Sequence, residues 1–217
     1  EWAIPGFDGG AYSFMDPANE NVWKYNIDVA KEAIAAGVDE IQFDYIRYSE
    51  HLREGYNGHD TTAEQRTKPI NDFLRYAMAE LKPLGVVVGA DVFGLTTSVA
   101  EGDDMEIGQD YRQIAEIVDY IAPMVYPSHY APYTYGLDNP NAYPYETVYN
   151  SMKKALERTE GLPIEKHRPW IQDFSLGGIT YGAAEVMAQV QALKDLGIQS
   201  FMLWDPSNKY SRDVSFN

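Results

Sequence analysis

The stretch "DEIQFDYIRYSE" (residues 39–50) decides the fold class, because it joins a buried strand to charged groups at the end of that strand. Every second residue from Ile41 to Tyr45 is apolar, which is the period-2 pattern of a β-strand. Asp44 lies on the opposite face, and Arg47 closes the predicted strand. Charged groups at the carboxyl end of a strand are typical of an enzyme whose site lies at that edge of a sheet.

The rest of the chain repeats the same unit of a helix followed by a strand. Amphipathic segments such as "VWKYNIDVAKEAIAA" (residues 22–36) precede short apolar runs, and the order is helix then strand five times. Such alternation predicts a parallel sheet covered by helices. The predicted strands are 41–47, 86–92, 120–126, 168–174 and 198–205.

Two architectures share this alternation, and the strand ends distinguish them. A doubly wound nucleotide-binding fold needs a glycine-rich phosphate loop, and "GADVFGLTT" (residues 89–97) contains neither GxGxxG nor GxxxxGK. A (β/α)8 barrel, the TIM barrel, gathers its chemistry at the carboxyl ends of several strands. All five predicted strands end in polar or aromatic residues, namely Asp44 with Arg47, Asp91, Tyr126, Gln172 with Asp173, and Trp204 with Asp205. We therefore predict the barrel.

The composition of the chain argues against some classes of binding partner and favours others. Lys and Arg number 17 against 33 Asp and Glu, and the resulting net charge of −16 repels nucleic-acid backbones and anionic membranes. No apolar run is long enough for a membrane-spanning helix, so membrane insertion is not expected. The chain has 17 Tyr, 8 Phe and 4 Trp, many of them beside Pro and Asn. Such aromatic side chains suit stacking on sugar rings, although they also pack loops onto a core.

Several chemistries have no motif in the sequence. HExxH and CxxC are absent, which argues against catalytic zinc, and "EGDDMEIGQD" (residues 101–110) lacks the spacing of a calcium loop. No serine lies in GxSxG, so an acyl-transferring serine has no support. We expect no metal and no cofactor. His129, near Tyr126, is a candidate donor to a ligand hydroxyl or else a solvated loop residue.

Asp44 and Asp91 are the candidate catalytic pair. Adjacent strand ends lie about 5 Å apart, so two inward-facing carboxylates there form a possible hydrolytic couple. The structural alternatives are an ion pair between Asp44 and Arg47 and a turn-capping role for Asp91. Trp204 has the size for a sugar platform and equally for a core residue.

These motifs together resemble a bacterial family of glycoside hydrolase-like domains with a TIM-barrel fold. The resemblance covers nearly the whole chain and is carried by "FMDPANENVWKYNIDVAKEA", "DEIQFDYIRYSE", "GADVFG", "IAPMVYPSHY", "RPWIQDF" and "FMLWDPSNKY". It implies that the five strands are β4 to β8 of the barrel. We then expect the natural polypeptide to be longer at its N-terminus, or a second chain to complete the barrel.

Two characterised groups are more loosely similar. In the alpha-amylase clan, acids on β4, β5 and β7 act as nucleophile, proton donor and stabiliser, and Asp44, Asp91 and Asp173 fall on those strands. The donor in that clan is Glu rather than Asp. Family-18 chitinases carry DxxDxDxE on β4, where Gln42 and Ile46 of this chain replace an Asp and the catalytic Glu. The resemblance therefore favours an Asp pair over substrate-assisted chemistry.

We therefore expect residues 1–217 to form one barrel domain that hydrolyses a glycosidic bond in an oligo- or polysaccharide, in an extracellular or cell-envelope location. In this interpretation Asp44 is the nucleophile or base, kept ionised by Arg47, and Asp91 is the acid, with a pKa raised by burial. The expected substrate-binding residues are Arg47, Tyr126, His129, Gln172, Asp173, Trp204 and Asp205. A non-catalytic carbohydrate-binding barrel is the main alternative, and a sugar-phosphate isomerase is a further one, disfavoured by the missing phosphate loop.

Overall fold

The computed structural model describes residues 15–48 and 62–214. Five α-helices alternate with five strands, which confirms the predicted order of elements. In chain order the elements are α1 (Glu20–Ala35), β1 (Glu40–Phe43), α2 (Ala63–Leu81), β2 (Val87–Phe93), α3 (Tyr111–Ile117), β3 (Tyr120–Met124), α4 (Pro144–Arg158), β4 (Trp170–Gln172), α5 (Ala183–Asp195) and β5 (Met202–Trp204).

The sheet has the strand order β1-β2-β3-β4-β5. The pairings β1–β2, β3–β4 and β4–β5 are parallel, as expected for strands joined by helices. In the first pairing Gln42 lies opposite Gly89, and in the last Gln172 lies opposite Trp204. The carboxyl ends of paired strands therefore lie at the same edge of the sheet.

Apart from β2, which is shifted by one residue, the strands are shorter than the sequence pattern predicts. β1 ends at Phe43 instead of residue 47, and Tyr45 has a φ of 55°, which lies outside the β region. Similarly, β5 begins at Met202 rather than at residue 198. Apolar residues such as Tyr45 and Ile198 lie in both flanking segments, so the sequence pattern alone does not locate these ends.

The chain divides into two compact units, so the expectation of one domain stays a prediction. The first unit comprises Glu1–Val92 and Ala100–Tyr120. Within it, Trp23 of α1 packs against Phe73 and Tyr76 of α2, with ring centroids 6.3 Å apart in both pairs. Phe43 of β1 meets Phe73 edge to face at 5.0 Å. The Phe43 side of β1 therefore faces the helices, as predicted.

A local sequence signal marks the start of α2 in this unit. Thr62 and Gln65 form a capping box at the start of α2, with each side chain bonded to the other residue's backbone. Arg66 of α2 grips Asp104 through two bonds, Nε to Oδ2 at 2.6 Å and Nη2 to Oδ1 at 2.7 Å. Burial raises the pKa of Asp104, but the hydrogen bonds from Arg66 and the backbone outweigh it and hold that pKa below its usual range.

The second unit comprises Phe93–Val99 and Ile121–Asn217. Its core lies between α4 and α5, and the fully buried side chains there are Val148, Met152, Ala155, Val186, Val190 and Leu193. A chain of hydroxyl groups runs beside this core, from Thr97 through Ser151 to Tyr130, at 3.0 and 2.8 Å. Buried hydroxyl groups are costly unless they are paired, and these pair with one another.

Gly89 leaves no room for a side chain in the first unit. A Cβ at this position would lie 2.0 Å from Cζ of Tyr120, whose hydroxyl donates to Glu40 at 2.8 Å. We expect Gly89→Ala to lower the free energy of unfolding by roughly 2–3 kcal/mol, because the ring must move out of a packed position. Urea denaturation measures the change. Gly182→Ala is the control, since its Cβ would meet only Glu185 at 3.8 Å; equal losses in both variants would contradict the steric argument.

His167 makes the stability of the second unit depend on pH. Its buried ring lies with Nε2 3.0 Å from Oγ1 of Thr159. Burial, assisted by the charge of Lys166, lowers the pKa of His167 from 6.5 to about 4. Because the unfolded state takes up this proton first, the contribution is complete above pH 6.5 and declines as the pH falls towards 4. The wild type should lose about 2–3 kcal/mol more than His167→Gln between pH 7 and pH 4.5. Identical pH dependence of the two proteins in urea denaturation would refute this.

Candidate active site

Asp44 directly follows the last residue of β1. The neighbouring Phe43 points towards α2. Gln42 points to the other side of the sheet, where its amide donates a hydrogen bond to Asp91 of β2. Continuing the register of β1 and β2 by one residue would set Asp44 opposite Asp91. Both candidate acids therefore belong to the carboxyl ends of two paired strands, as predicted.

A cavity of about 600 Å³ lies beside Asp44 in the first unit. Its wall is mainly apolar and rich in aromatic side chains, with Asp44 and Arg47 as its charged groups. The lining residues are Met15, Pro17, Val22, Trp23, Asn26, Phe43, Asp44, Tyr45, Ile46, Arg47, Ile70 and Phe73. Cavities of this volume accommodate a small ligand such as a mono- or disaccharide.

Opposing effects act on the pKa of Asp44. Loss of solvent contact raises the pKa of this carboxyl, although the side chain still reaches the surface; the Tyr45 N–H, 2.7 Å away, and the Arg47 charge oppose that rise only in part. The Arg47 charge lowers this pKa, as the sequence analysis expected, but by less than the loss of solvent raises it. The guanidinium also lies 5.9 Å from the centre of the Tyr45 ring and donates to the carbonyl of Tyr48 at 3.1 Å. Its charge is therefore shared with other groups.

Asp91 has a different environment. It is buried, and Oδ1 accepts a hydrogen bond from Nε2 of Gln42. An N–H donor stabilises the ionised form of a carboxylate. Nε2 of Gln109 donates to the backbone carbonyls of Ile46 and Asp91, at 3.3 and 3.5 Å, and so links the segments that follow β1 and β2.

Sequence reasoning missed both glutamines as parts of the site. Gln42 stands on the same face of β1 as Asp44, and this parity was the available signal. Gln109 lies in a loop far along the chain, where nothing in the sequence marks it.

In the second unit, three aromatic rings meet beyond the ends of β3 and β4. Tyr126, His129 and Phe174 contact one another edge to face, with centroid separations of 5.4, 5.6 and 5.9 Å. Burial lowers the pKa of His129, and its Nδ1 lies 3.0 Å from Oγ of Ser128. An imidazole beside a tyrosine can form hydrogen bonds with sugar hydroxyl groups. Whether Tyr126 and His129 do so stays a prediction.

Gln172 is fully buried, and its amide is bonded on both sides. Oε1 accepts from the Ser128 N–H at 3.0 Å, and Nε2 donates to the Phe174 carbonyl at 2.8 Å and to Asn141 at 3.4 Å. These bonds hold the loop of the aromatic cluster in place. Gln172 therefore positions neighbouring segments in this structure, and the sugar contact expected from the sequence stays a prediction.

Asp173 and Asp205 hold the segment after β5. Asp173 accepts from the N–H and the hydroxyl of Ser211, at 2.7 and 2.6 Å, and Asp205 accepts from the N–H groups of Ser207 and Lys209, at 2.6 and 3.3 Å. Both carboxylates thus have structural partners within their own unit. Whether they also contact sugar stays a prediction.

Trp204 ends β5 and is partly exposed. Its ring meets Trp170 of β4 edge to face at 5.8 Å. The pair orients the indole of Trp204 while leaving much of it open, which is compatible with the predicted sugar platform.

Within residues 15–48 and 62–214, no three His, Asp or Glu side chains gather as a set of metal ligands. None of the helices in these ranges combines the length and apolar character needed to span a bilayer.

Comparison with known proteins supplies a family and a fold. Residues 2–210 match the model of the family DUF4015, described as "Putative glycosyl hydrolase domain". No protein among the curated set compared with the sequence matches it.

Three solved structures illustrate the structural likeness. The spore cortex-lytic enzyme SleL of Bacillus megaterium aligns with a TM-score of 0.61 at 13% identity, over 89% of this chain and 52% of that one. The glycoside hydrolase domain of PgaB from Bordetella bronchiseptica aligns at 0.66 and 14%, over 93% and 62%. A class V chitinase from Pseudomonas fluorescens aligns at 0.63 and 12%, over 92% and 72%.

At these identities the likeness establishes the fold, a parallel α/β arrangement of the TIM-barrel type found in these hydrolases. The chain spans about half to three fifths of the first two structures.

Proposed function

The chain belongs to the DUF4015 family of putative glycosyl hydrolase domains, and from this premise we propose that it hydrolyses a glycosidic bond at the carboxyl ends of β1 and β2, where Asp44 and Asp91 lie. The observation that carries the proposal is the position of Asp44. Its carboxyl lies at the end of a barrel-type strand, lines an aromatic cavity of about 600 Å³, and has a pKa above its usual range. A carboxyl with a raised pKa is what a glycosidase needs as its acid.

The two environments favour one division of roles. Asp44 holds its proton to higher pH, which suits the donor that protonates the leaving oxygen. Asp91 accepts a hydrogen bond from the amide of Gln42, which orients its carboxyl group, and we assign it the role of the nucleophile. The sequence analysis assigned the opposite roles, because it expected Arg47 to dominate at Asp44 and burial to dominate at Asp91.

The reaction then follows the two-carboxylate scheme. Asp44 gives its proton to the glycosidic oxygen while Asp91 attacks the anomeric carbon, so the old C–O bond breaks as the glycosyl ester forms. A water molecule, deprotonated by Asp44, then releases the sugar and restores both groups. Neighbouring parallel strands are about 4.8 Å apart, which favours the short separation of a retaining pair.

The substrate is proposed as an oligo- or polysaccharide. Several structural neighbours are chitinases by name, so chitin oligosaccharides are the first compounds to test. In the second unit, Tyr126, His129 and Trp204 remain the proposed sugar contacts. Because a polymeric glycan is met outside the cell membrane, we also propose an extracellular or cell-envelope location.

A panel of chitin, peptidoglycan and β-glucan oligosaccharides tests the function by mass spectrometry of the products. We expect cleavage of at least one class, and proton NMR should show a first product with the anomeric configuration of its substrate. A product of inverted configuration would contradict the retaining pair. No cleavage of any compound, with a folded protein, would contradict the hydrolase.

The second candidate is a carbohydrate-binding domain without turnover. The burial of Asp91 favours it, because a nucleophile must reach the anomeric carbon. Calorimetric titration with the same panel separates the two, since binding without any product supports the second candidate.

A further inference from the structure

The two most exposed large apolar side chains in residues 15–48 and 62–214 are both tyrosines in an unusual backbone conformation. Tyr133 is 76% exposed with φ of 68°, and Tyr45 is 70% exposed with φ of 55°. Tyr45 follows the end of β1, and Tyr133 lies in the loop after β3. A left-handed backbone conformation is rare for bulky residues, and Asn, Asp or Gly is the usual residue at such positions.

Among the described residues, neither tyrosine has a side-chain contact that accounts for this conformation. A third tyrosine, Tyr135, also has a positive φ of 56°, but its hydroxyl bonds Ser98 at 2.6 Å and its ring packs on Tyr130 at 5.8 Å. Tyr133 has no comparable side-chain partner among the described residues. Residues that are held in a strained backbone conformation without compensating contacts are concentrated at functional sites.

The backbone around each exposed ring is nevertheless well fixed. The Tyr133 N–H donates to the Leu137 carbonyl at 2.6 Å, and the Tyr133 carbonyl accepts from Gly136 at 2.9 Å. The Tyr45 N–H is bonded to Asp44, and the Arg47 guanidinium covers one face of its ring. Each ring is therefore presented on a held backbone with a face open to solvent.

We propose that Tyr45 and Tyr133 are stacking platforms for pyranose rings, each within its own unit. The inference rests on the proposed action on glycans and names the kind of sugar. A flat aromatic face takes a pyranose whose axial C–H groups form an apolar face, as β-1,4-linked glucose and N-acetylglucosamine do. Tyr45 lines the cavity that holds Asp44, so it serves a sugar near the scissile bond. Tyr133 serves a sugar bound in the second unit.

The test combines binding with thermal stability. Tyr45→Asn and Tyr133→Asn remove the ring and place a residue that tolerates the left-handed region. The matched control is Tyr25→Gln, because Tyr25 is 58% exposed on the surface of α1. The probes are chitohexaose, cellohexaose and maltohexaose, with affinities measured by calorimetry and Tm by scanning calorimetry.

We expect each Asn variant to bind its preferred β-linked hexasaccharide roughly five- to tenfold more weakly, while Tyr25→Gln binds it as the wild type does. The Tm of each Asn variant should stay level or rise by about 2 °C, because strain is relieved.

Unchanged affinity in both Asn variants would overturn the proposal, and so would a fall in Tm of several degrees, which indicates a structural role. Failure of all three probes to bind the wild type at millimolar concentration would overturn it as well. Binding without hydrolysis would instead contradict the hydrolase alone and leave the platforms standing.

Discussion

Replacing Asp91 by Asn will abolish hydrolysis of every glycoside, lowering kcat on the order of 10⁴-fold or more. Asn keeps the shape of the side chain and can still accept the hydrogen bond from Gln42, so the free energy of unfolding should change little. What disappears is the negative charge that attacks the anomeric carbon. Activated aryl glycosides will not escape this loss, because a good leaving group does not replace a nucleophile. Initial rates on aryl glycosides and on the best oligosaccharide, together with Tm, measure the effect.

Asp28→Asn is the matched control for this change. Asp28 is a surface carboxylate of the same unit, paired with Lys24 at 2.5 Å on α1. Exposed pairs of this kind contribute about 0.3–0.5 kcal/mol, so neither activity nor Tm should move appreciably. Substantial turnover in Asp91→Asn would exclude Asp91 as the nucleophile, and a large fall in Tm would show that its charge is structural.

The sequence predicted the parts of the site that depend on strand parity. Parallel strands bring their carboxyl ends to one edge, and Asp44 and Asp91 lie at the ends of β1 and β2 as predicted, while their catalytic role stays a prediction. The helix-facing position of Phe43 followed from the same alternation. The end of β1 was placed four residues too late, since the apolar alternation runs on to Tyr45, whose left-handed backbone lies outside the strand.

The electrostatic roles could not be predicted, because they depend on what surrounds each carboxyl in three dimensions. Arg47 is near Asp44 in sequence, yet loss of solvent outweighs its charge. Asp173 and Gln172 are held by Ser211 and Asn141, which are 38 and 31 residues away along the chain. No local pattern announces such partners.

A polar residue at the end of a strand is not necessarily available to a bound ligand. The five strands end in polar or aromatic groups, as expected for a barrel enzyme. Some of those groups, however, form hydrogen bonds with neighbouring loops. Asp44 differs from them, because it borders a cavity and its bond is to the adjacent peptide N–H. Among the predicted residues, it is therefore the one best placed to act on a bound molecule.

Replacing Asp44 by Asn should give a loss that depends on the leaving group. Substrates with poor leaving groups, such as oligosaccharides, need the proton and should lose roughly 10²–10⁴-fold in kcat/KM. Dinitrophenyl glycosides, whose leaving group departs as a stable anion, should keep most of their rate of glycosyl transfer to Asp91. A plot of log kcat/KM against leaving-group pKa should be nearly flat for the wild type and steep for the variant.

The pH profile supplies an independent check of the same assignment. An acid catalyst works while it is protonated, so the wild-type rate should fall as the pH rises through the pKa of Asp44, which burial raises above the usual range for aspartate. That alkaline limb should vanish in Asp44→Asn. Arg47→Gln should move it to higher pH, because the Arg47 charge lowers the pKa of Asp44 in the wild type. If instead Asp44→Asn loses all substrates equally while Asp91→Asn spares the activated ones, then Asp91 is the proton donor and Asp44 is the nucleophile.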